Sequence, residues 1–481
     1  MQFNPIFMTL KRFPIFLMPT AFLALAVHMA ISTAPLRAAE PKHSWETPGK
    51  DPDRIVVNLT DDPAHSFSVT WRTDLCISDG WVEYTKSDAA PGFSKEVTRA
   101  KALTQVLDIS VADYNPESSA AFHSATLTGL EADTQYAYRV GDGQGFMSEW
   151  FHITTATEGF APFSFVYVGD AQNGIFSHWS RLVRQAFKSE PDMAFFLHAG
   201  DLVNSAHLDA EWGQWFKSLG WINGMVPTLA VPGNHEYGNL PLREAEGKVE
   251  GEGEEEVIRK LSIQWQPQFE FPRVDALPED IQETAYAIEY QGVLLVALNS
   301  MAQQEKQAEW LDNVLSTSNH QWKILTFHFP IFASASGRDN VKLRALWKPV
   351  IDRHNVDLVL QGHDHTYARG HTRLLKAGPE GEFIRSVYVN SVSGAKMYSV
   401  SPSRWTDFED DGVLMVRSAE NTQLFQTLQV DFRHITYKAI TAAGDIYDAF
   451  TLEKLPDGSK KIVNDPITST KERSFKNTIP Y

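Results

Sequence analysis

Continuous apolar runs alternate with amphipathic stretches from residue 163 onward. A short run of this kind indicates a strand that is buried on both faces. The predicted strands are residues 163–168, 193–197, 228–231, 293–298, 323–327 and 356–360. A helical stretch near residues 179–188 separates the first two. The alternation therefore predicts an α/β domain in which the carboxyl ends of the strands face a common site.

The chain from residue 54 to residue 155 has a different pattern, in which apolar and polar residues alternate over short runs. Residues 56–59, 67–71 and 80–84 are rich in β-branched and aromatic residues, and two further short runs follow at 123–127 and 136–140, which predicts an all-β domain. The segment from Leu130 to Tyr136 resembles the Leu-to-Tyr corner of a fibronectin type III sandwich, and Trp71 lies where such domains bury an early-strand Trp. We interpret Trp71 and Tyr136 as core residues of a domain that positions or shields the next one.

Two further segments complete the predicted organisation. Residues 424–454 alternate again and predict two or three antiparallel strands that finish the second domain. Residues 244–256 are acidic and Gly-rich, which indicates a solvated surface insertion. A calcium site is the alternative there, but the acidic spacing fits no known calcium loop. The predicted domains are residues 53–157 and 162–455, the latter including a β segment at 420–455, followed by a tail at 456–481.

The N-terminal stretch has the composition of a targeting segment. Lys11 and Arg12 precede residues 13–34, which contain no charged residue, and Ala38-Ala39 offers small residues for cleavage. This pattern predicts a secretory signal peptide at 1–39 and a secreted or periplasmic protein. An uncleaved N-terminal membrane anchor is the alternative, because the stretch is long enough to span a bilayer. No later segment of the sequence is long and apolar enough to span a bilayer, so no stable membrane span would remain after cleavage.

The net charge and the cysteine content limit which ligands and metal sites the protein can have. The 481 residues include 43 Lys and Arg against 60 Asp and Glu, a net charge of −17 that becomes about −20 without residues 1–39. Such a chain repels polyphosphate backbones, so we expect no large nucleic acid as partner, whereas a small phosphate ester can bind at a local positive site. Cys76 is the only cysteine, which excludes an internal disulfide and a thiolate-rich metal site. The sequence makes no prediction about oligomeric state.

Ligand-type side chains follow the predicted strands directly, often after a glycine. They are two Asp, one Asn and three His, namely Asp170, Asp201, Asn234, His328, His363 and His365. Oxygen and nitrogen ligands of this kind suit Zn, Fe, Mn or Mg. A pair of metal ions needs one bridging carboxylate and separate ligands on each side, and this inventory supplies both. The sequence offers neither a Gly-x-Ser-x-Gly elbow nor a P-loop Lys as an alternative chemistry.

The order of these motifs resembles that of the calcineurin-type metallophosphoesterase superfamily. The motifs are Gly169-Asp170, Gly200-Asp201, Gly233-Asn234-His235-Glu236, His328 and Gly362-His363-Asp364-His365. With the preceding fibronectin-like domain, the chain is most similar to the purple acid phosphatase branch. The resemblance implies an α+β multidomain fold, in which an all-β fibronectin III-like sandwich is followed by an α/β/β/α metallophosphoesterase sandwich.

The resemblance also implies roles for the site residues. One metal ion would take Asp170, Asp201 and His365, and the other would take Asn234, His328 and His363, with Asp201 as the bridge. His235 would be the acid in the cleft, which protonates the leaving oxygen or stabilises the phosphoryl transition state. The implied cofactors are two divalent or trivalent metal ions. The implied activity is hydrolysis of phosphomonoesters or small phosphodiesters by a metal-bound hydroxide.

Four positions depart from that pattern or extend it. Purple phosphatases have Tyr three residues after the bridging Asp, where this chain has Asn204, so we expect no purple colour. Gln172 stands where other members have a metal-binding His. Either its amide oxygen binds the first metal ion, or its side chain only makes hydrogen bonds to residues that do. Arg338 replaces a second cleft His, and it either binds substrate phosphate or pairs with a surface acid. Asn173 is a further candidate for contacting phosphate.

Three functions remain open at this point. The leading hypothesis is an acid phosphatase-like hydrolase of monoesters or small diesters. The alternatives are a phosphodiesterase of narrow specificity and a non-catalytic phosphate-binding or adhesion protein. Tyr367 and Tyr398 are expected either to line the cleft or, by default, to pack in a core or at a rim.

Overall fold

The first domain that the structure shows is built mainly from strands, with a short 3₁₀ helix at Pro91–Lys95. The structure is a computed structural model that describes residues 43–109, 119–239, 259–373, 383–465 and 471–479. The predicted signal peptide at 1–39 and the acidic run at 244–256 lie outside these residues. The strands of the first domain are β1 (Asp53–Asn58), β2 (Phe67–Thr73), β3 (Trp81–Lys86), β4 (Thr98–Lys101), β5 (Leu103–Asp108), β6 (Ser119–Leu127), β7 (Gln135–Gly141) and β8 (Phe151–Thr154).

These strands form two facing sheets around one apolar core. One sheet has the order β1-β2-β6-β5 and the other β4-β3-β7-β8. Trp71 is buried in the core and stacks on His123, and the hydroxyl of Tyr136 accepts the Glu131 N–H at 2.9 Å. Trp71 and Tyr136 therefore fill and lock this core, as predicted. Strands β4, β5 and β8 were not predicted; no residue of β4 or β5 is fully buried, and β8 has only four residues.

The second domain contains the predicted alternation of strands and helices. Its strands are β9 (Phe163–Val168), β10 (Phe196–His198), β11 (Thr228–Ala230), β12 (Tyr237–Asn239), β13 (Arg259–Leu261), β14 (Tyr286–Tyr290), β15 (Val293–Ala297), β16 (Trp322–Thr326), β17 (Leu358–Gln361), β18 (Tyr367–Arg373), β19 (Phe383–Asn390), β20 (Val413–Ala419), β21 (Leu424–Val430), β22 (His434–Thr441), β23 (Ile446–Lys454) and β24 (Lys460–Asn464). Its helices are α1 (Ser180–Ser189), α2 (Asp209–Leu219), α3 (Trp265–Gln268), α4 (Gln304–Thr317) and α5 (Val341–Arg353).

Two mixed sheets carry the domain. In the first, β9, β10 and β11 are parallel, and β9 also pairs antiparallel with β21, which β22, β23 and β24 follow. In the second, β15, β16, β17 and β19 are parallel, with β14 at one edge and β18 and β20 beyond β19. β24 pairs with β19 and joins the two sheets. The predicted C-terminal strands are confirmed as β21 to β23, and β24 adds a strand inside the segment expected to be a tail.

Helices cover the outer faces, which gives the four layers α/β/β/α. Alternate residues of β15 show this: Val293 and Leu295 join the core shared by the two sheets with α1 and α2, whereas Leu294 and Val296 join the core beneath α4 and α5. Both faces of the second sheet are therefore buried, as its continuous apolar runs predict. No helix in the described part of the chain is both long enough and apolar enough to cross a membrane.

A buried polar network joins the two domains. Strand β1 pairs with β11 through Asn58 and Thr228, so the sheets of the two domains are continuous. Asp209, the first residue of α2, accepts two hydrogen bonds from Arg54 at 2.8 and 2.7 Å and one from Arg72 at 3.1 Å. All three charged side chains are buried. Charges this deep are stable in folded proteins only as pairs, so the network fixes the first domain against α2.

Candidate functional site

The six predicted ligand residues lie together at the carboxyl ends of five parallel strands. Asp170, Asp201 and Asn234 follow β9, β10 and β11 of the first sheet. His328 follows β16, and His363 and His365 follow β17, in the second sheet. The site is therefore assembled where the facing sheets end on the same side, which is the usual place for a site in an α/β domain.

Four of these residues have left-handed backbone conformations. The φ angles are +55° for Asp170, +54° for Asp201, +76° for His363 and +48° for His365. Non-glycine residues rarely adopt such angles, and each such position is held there by its surroundings. The sharp turns aim these side chains back toward one another instead of along the strand direction.

Two glycines allow the loops to approach this closely. A Cβ atom at Gly233 would lie 2.2 Å from Oδ1 of Asp201, and one at Gly200 would lie 2.6 Å from Nδ1 of His328. Both distances are far below van der Waals contact, so any larger residue would displace a candidate ligand. Glycine is therefore needed at both positions for close packing around the site. At Gly200 it also allows a sharp turn, since φ there is +88°.

The side chains form two groups that share Asp201. Asp170, Asp201 and His365 offer ligand atoms that all lie within 4.8 Å of one another, and Asp201, His328 and His363 do the same. Asn234 adjoins the second group, because its Oδ1 lies 3.2 Å from Nε2 of His328. This division has the same form as the two-metal assignment implied by the resemblance, and the assignment of individual ligands stays a prediction.

Gln172 lies inside the first group. Its Nε2 is 2.9 Å from Oδ2 of Asp201 and 2.9 Å from Nε2 of His365, while its Oε1 is buried without a hydrogen-bond partner among the described residues. The amide oxygen and nitrogen can be exchanged by rotating the group, which would turn the oxygen toward Asp201 and His365. A cation between these atoms would satisfy an amide oxygen that otherwise has no partner.

Backbone carbonyls fix the tautomers of two of the histidines. Nδ1 of His328 donates to the Ala199 carbonyl at 2.8 Å, and Nδ1 of His365 donates to the Lys396 carbonyl at 3.0 Å. Each Nε2 is then the ring nitrogen that faces the carboxylates and would be the one to bind a metal ion. Metal-binding histidines in proteins have this arrangement, in which the second ring nitrogen is held by an acceptor.

The electrostatics of the site favour bound cations. Burial and the neighbouring Asp201 raise the pKa of Asp170 well above its usual value, against the effect of His328. Burial opposes protonation of His328, but Asp201 and Asp170 outweigh it and raise the pKa to about 9. Burial also acts to raise the pKa of Asp201, but the protonated imidazole of His328 outweighs it and holds that pKa below its usual value. A metal ion would supply the positive charge that a proton on His328 otherwise supplies.

The other two histidines are neutral at ordinary pH and ready to bind metal. Burial and the charge of His328 lower the pKa of His363 to about 2. Burial and the charge of Lys396 lower the pKa of His365 to about 3. Neutral imidazoles, carboxylates and amide oxygens at these separations fit a pair of first-row transition metals or magnesium.

Glu236 holds the candidate ligands in place. One of its carboxylate oxygens accepts the N–H groups of Asp201 (2.8 Å) and Gly233 (2.7 Å). The other accepts those of Leu202 (2.7 Å) and Val203 (3.1 Å). The side chain is completely buried, so these four hydrogen bonds take the place of the water molecules that would surround an exposed carboxylate. Glu236 thereby ties the loop after β10 to the loop after β11, a role that its place in a sequence motif does not predict.

His235 lies beside the two groups and belongs to neither. Its N–H donates to Oδ1 of Asp201 at 2.9 Å, and its Nδ1 donates to the Asn204 carbonyl at 2.6 Å. Nε2 is therefore the ring atom left for proton exchange. Asn173 donates to the side-chain oxygen of Asn204 at 3.2 Å. The candidate acid and the candidate phosphate contact thus both lie around Asn204, where purple phosphatases have Tyr.

The remaining candidates divide between the rim and the core. Arg338 donates to the His363 carbonyl at 2.7 Å and lies 3.6 Å from Asp364, so it is at the rim. Tyr398 is half-buried and meets the His365 ring edge to face, with centroids 4.9 Å apart. Tyr367 is fully buried and donates to Asp448 at 2.7 Å, which makes it a core residue, as the default interpretation predicted.

Sequence comparison identifies two domain families in the chain. Residues 52–155 match the family model of the purple acid phosphatase N-terminal domain, and residues 163–367 match that of the calcineurin-like phosphoesterases. Purple acid phosphatase 18 of Arabidopsis thaliana is 25% identical over 344 residues, which cover 69% of this chain and 70% of that protein. Purple acid phosphatase 1 of Ipomoea batatas is 25% identical over 339 residues, which cover 66% of this chain and 64% of that protein. The similarity thus spans about two thirds of the length of each relative.

Solved structures show the same fold. The purple acid phosphatase PPD1 from yellow lupin (Lupinus luteus) seeds superposes with a TM-score of 0.65 at 17% identity, covering 84% of this chain and 74% of that one. A structure of PhoD superposes with a TM-score of 0.59 at 13% identity, covering 90% of this chain and 95% of that one. The architecture is therefore shared well beyond the motifs that carry the site.

Proposed function

Because the chain belongs to the calcineurin-like metallophosphoesterases, in the branch of the purple acid phosphatases, we propose that it hydrolyses phosphomonoesters or small phosphodiesters. The observation that carries the proposal is the pair of ligand groups that share Asp201. Two bound metal ions would supply positive charge for the phosphate oxygens and activate a water molecule for attack. A relative named Fe(3+)-Zn(2+) purple acid phosphatase 12 supports a pair of ions, whose identity in this chain is open to measurement.

The chain's own residues have distinct tasks in this proposal. Asp170, Asp201 and His365 hold one metal ion, with Gln172 as a candidate fourth ligand. Asn234, His328 and His363 hold the other ion together with Asp201. These assignments follow the grouping and the tautomers of the histidines.

His235 is the proposed general acid. Its Nδ1–H is committed to the Asn204 carbonyl, so the imidazolium form would pass a proton from Nε2 to the leaving-group oxygen. Its backbone N–H is held by Asp201, which fixes its distance from the site. We further propose that Arg338 and Asn173 contact the anionic part of the substrate, because Arg338 donates to the His363 carbonyl and Asn173 lies beside Asn204, whose carbonyl holds His235.

We expect the metal-loaded protein to lack the purple colour. The colour of purple phosphatases comes from charge transfer between a Tyr and ferric iron, and Asn204 occupies that position here. An absorption spectrum of the metal-loaded protein tests this directly. A visible charge-transfer band would require another phenolate ligand and would contradict the expectation.

We also propose export to a secreted or periplasmic location, on the pattern of residues 1–39.

The deciding experiment combines activity with metal content. The mature protein and Asp201→Asn are assayed on p-nitrophenyl phosphate and on bis-p-nitrophenyl phosphate, and bound metals are counted. We expect two tightly bound ions and turnover in the wild type. In the variant we expect loss of bound metal and a fall in kcat of at least about a hundredfold, the scale on which single catalytic charges act. The ratio of the two substrates distinguishes a monoesterase from a diesterase.

A folded wild-type protein without turnover, whatever divalent metal is added, would overturn the proposal. Binding of inorganic phosphate without hydrolysis would then identify a phosphate-binding protein. A control variant, Asp62→Asn, alters an exposed carboxylate of the first domain that pairs with His65. It should leave metal content and both activities unchanged.

A further inference from the structure

Two cations surround one aromatic ring beside the ligand groups. The guanidinium carbon of Arg338 lies 4.8 Å from the centre of the Tyr398 ring, and Nζ of Lys396 lies 5.6 Å from it. The same ring meets the imidazole of His365 edge to face. Arg338, Tyr398 and Lys396 together are called the cationic rim below. The sequence predicted Arg338 and Tyr398 as candidates, whereas Lys396 lies in a loop without a motif.

Backbone bonds fix the cationic rim to the site. The Lys396 carbonyl accepts Nδ1–H of His365 at 3.0 Å, and the Tyr398 N–H donates to the His365 carbonyl at 3.0 Å. Arg338 donates to the His363 carbonyl at 2.7 Å. The rim is thus attached to the backbone of two candidate ligands, so its distance from the site is set by the fold.

The rim carries two positive charges and faces one carboxylate among the described residues. Arg338 faces one carboxylate, that of the buried Asp364, at 3.6 Å, which is longer than a hydrogen bond, and the other oxygen of Asp364 accepts from Ser334 and from the N–H of Ala335. Within the described ranges, Lys396 makes no ion pair, and its ammonium group contacts the Tyr398 ring. The chain as a whole has a net charge of −17, so two such cations beside the site mark a place for a negative ligand.

We propose that the cationic rim binds a second anionic group of the substrate, a carboxylate or phosphate on the same molecule as the phosphate that is cleaved. This inference rests on the proposed function, in which the ligand groups take the cleaved phosphate. A guanidinium offers forked N–H donors to such an anion, and an ammonium offers a mobile point charge. The preferred substrates are therefore small phosphate esters with two anionic groups, ahead of neutral alkyl or aryl esters.

The test compares two phosphonates that the enzyme does not hydrolyse. Phosphonopropionate carries a carboxylate where propylphosphonate carries a methyl group, and both present the same phosphonate. Isothermal titration calorimetry on the metal-loaded mature protein should show about threefold to tenfold tighter binding of phosphonopropionate, the range expected for partly exposed charge pairs. Lys396→Gln and Arg338→Gln should each bring the ratio of the two affinities toward one, and Lys396→Arg should retain it.

A matched control is available in the first domain. Lys50 also lies over an aromatic ring, that of Phe146, at 5.3 Å. Lys50→Gln removes a lysine in the same chemical setting, and it should leave the ratio of the two affinities at its wild-type value.

Three results would overturn the inference. The first is equal affinity of the wild type for the two phosphonates. The second is a ratio that neither rim variant changes. The third is an equal loss of affinity for both ligands in the variants, which would assign the rim to the cleaved phosphate itself. Turnover of p-nitrophenyl phosphate in the same preparations separates these failures from failure of the proposed function, since the wild type then remains an active phosphoesterase.

Discussion

A single carboxylate, that of Glu236, positions the loops that carry the candidate ligands. In Glu236→Gln one oxygen becomes an NH2 group, which faces two backbone N–H donors and can accept neither. A buried donor left without a partner costs about 1–3 kcal/mol. We expect the free energy of unfolding to fall by about 2–3 kcal/mol and metal affinity to fall with it. Urea denaturation and metal analysis after dialysis measure the two effects.

The control for this variant is Glu309→Gln, which alters an exposed carboxylate on α4 that pairs with Lys306. Exposed ion pairs contribute little to the free energy of unfolding, so the Glu309→Gln variant should keep the stability and the metal content of the wild type. Wild-type stability and two retained ions in Glu236→Gln would show that the four N–H bonds do not position the site.

His123 makes the stability of the first domain dependent on pH. Its ring is buried between hydroxyls of Thr73 and Thr104, at 2.8 and 2.9 Å, and burial lowers its pKa to about 4 from 6.5 in the unfolded chain. The unfolded state therefore takes up the proton first as pH falls. The free energy of unfolding should decrease from about pH 6.5 downward, and the loss from this group is complete near pH 4, at about 3 kcal/mol.

The measurement is denaturation of the wild type and of His123→Asn across about pH 4–7. The variant should show a shallower decline, because one titrating group is gone. His65→Asn serves as a comparison of opposite sign. Asp62 and Glu158 raise the pKa of His65, so its contribution is present below pH 6.5 and is lost as pH rises through the folded pKa. Parallel curves for the wild type and His123→Asn would refute the role of His123.

Among the elements, β1, β2 and α2 are held together by Asp209. Asp209→Asn removes the charge that faces Arg54 and Arg72, and it leaves two buried guanidinium groups with only Asp53 and neutral partners. Loss of one member of a buried ion pair typically destabilises a protein by about 3–5 kcal/mol. We expect a decrease of that size in urea denaturation. Asp62→Asn, at an exposed pair in the first domain, should change stability by less than about 0.5 kcal/mol.

Elements with a clear pattern of apolar residues could be predicted from the sequence. Elements that form only because they pair with or pack on distant parts of the chain could not. Strand β9 was predicted with its observed ends, because its apolar run meets two layers. Strand β5 has several exposed positions and owes its place to pairing with β6. Helix α1 begins one residue later than predicted, after a π-helical turn at Ile175–Trp179 that no local pattern indicates.

The same distinction applies to the site. The candidate ligands could be predicted because each follows an apolar run and a motif. Arg54 and Asp209 are 155 residues apart and look like ordinary surface charges in the sequence. Lys396 is placed beside the site by loops around His365, and its contact depends on tertiary structure alone. Residues that act through distant partners carry no local signal.

For the whole molecule, metal removal should lower stability as well as activity. A ligand present at about 100 times its Kd stabilises the folded state by about 2.7 kcal/mol. We expect the melting temperature of the mature protein to fall after chelation and to recover when metal is added back. Asp201→Asn, which lacks the shared ligand, should melt at the same temperature with and without metal. Identical melting of the apo and metal-loaded wild type would contradict binding between the two sheets.

The pairing of β9 has a consequence for synthesis on the ribosome. β9 lies between β10 and β21, and its partner Thr427 follows Val166 by about 260 residues. At about 5–20 residues per second, translation leaves one edge of this apolar strand without its neighbour for roughly 10–50 seconds. The nascent second domain therefore cannot close before its last third has emerged. A chain that is released before β21 has been synthesised would leave this edge of β9 open to aggregation.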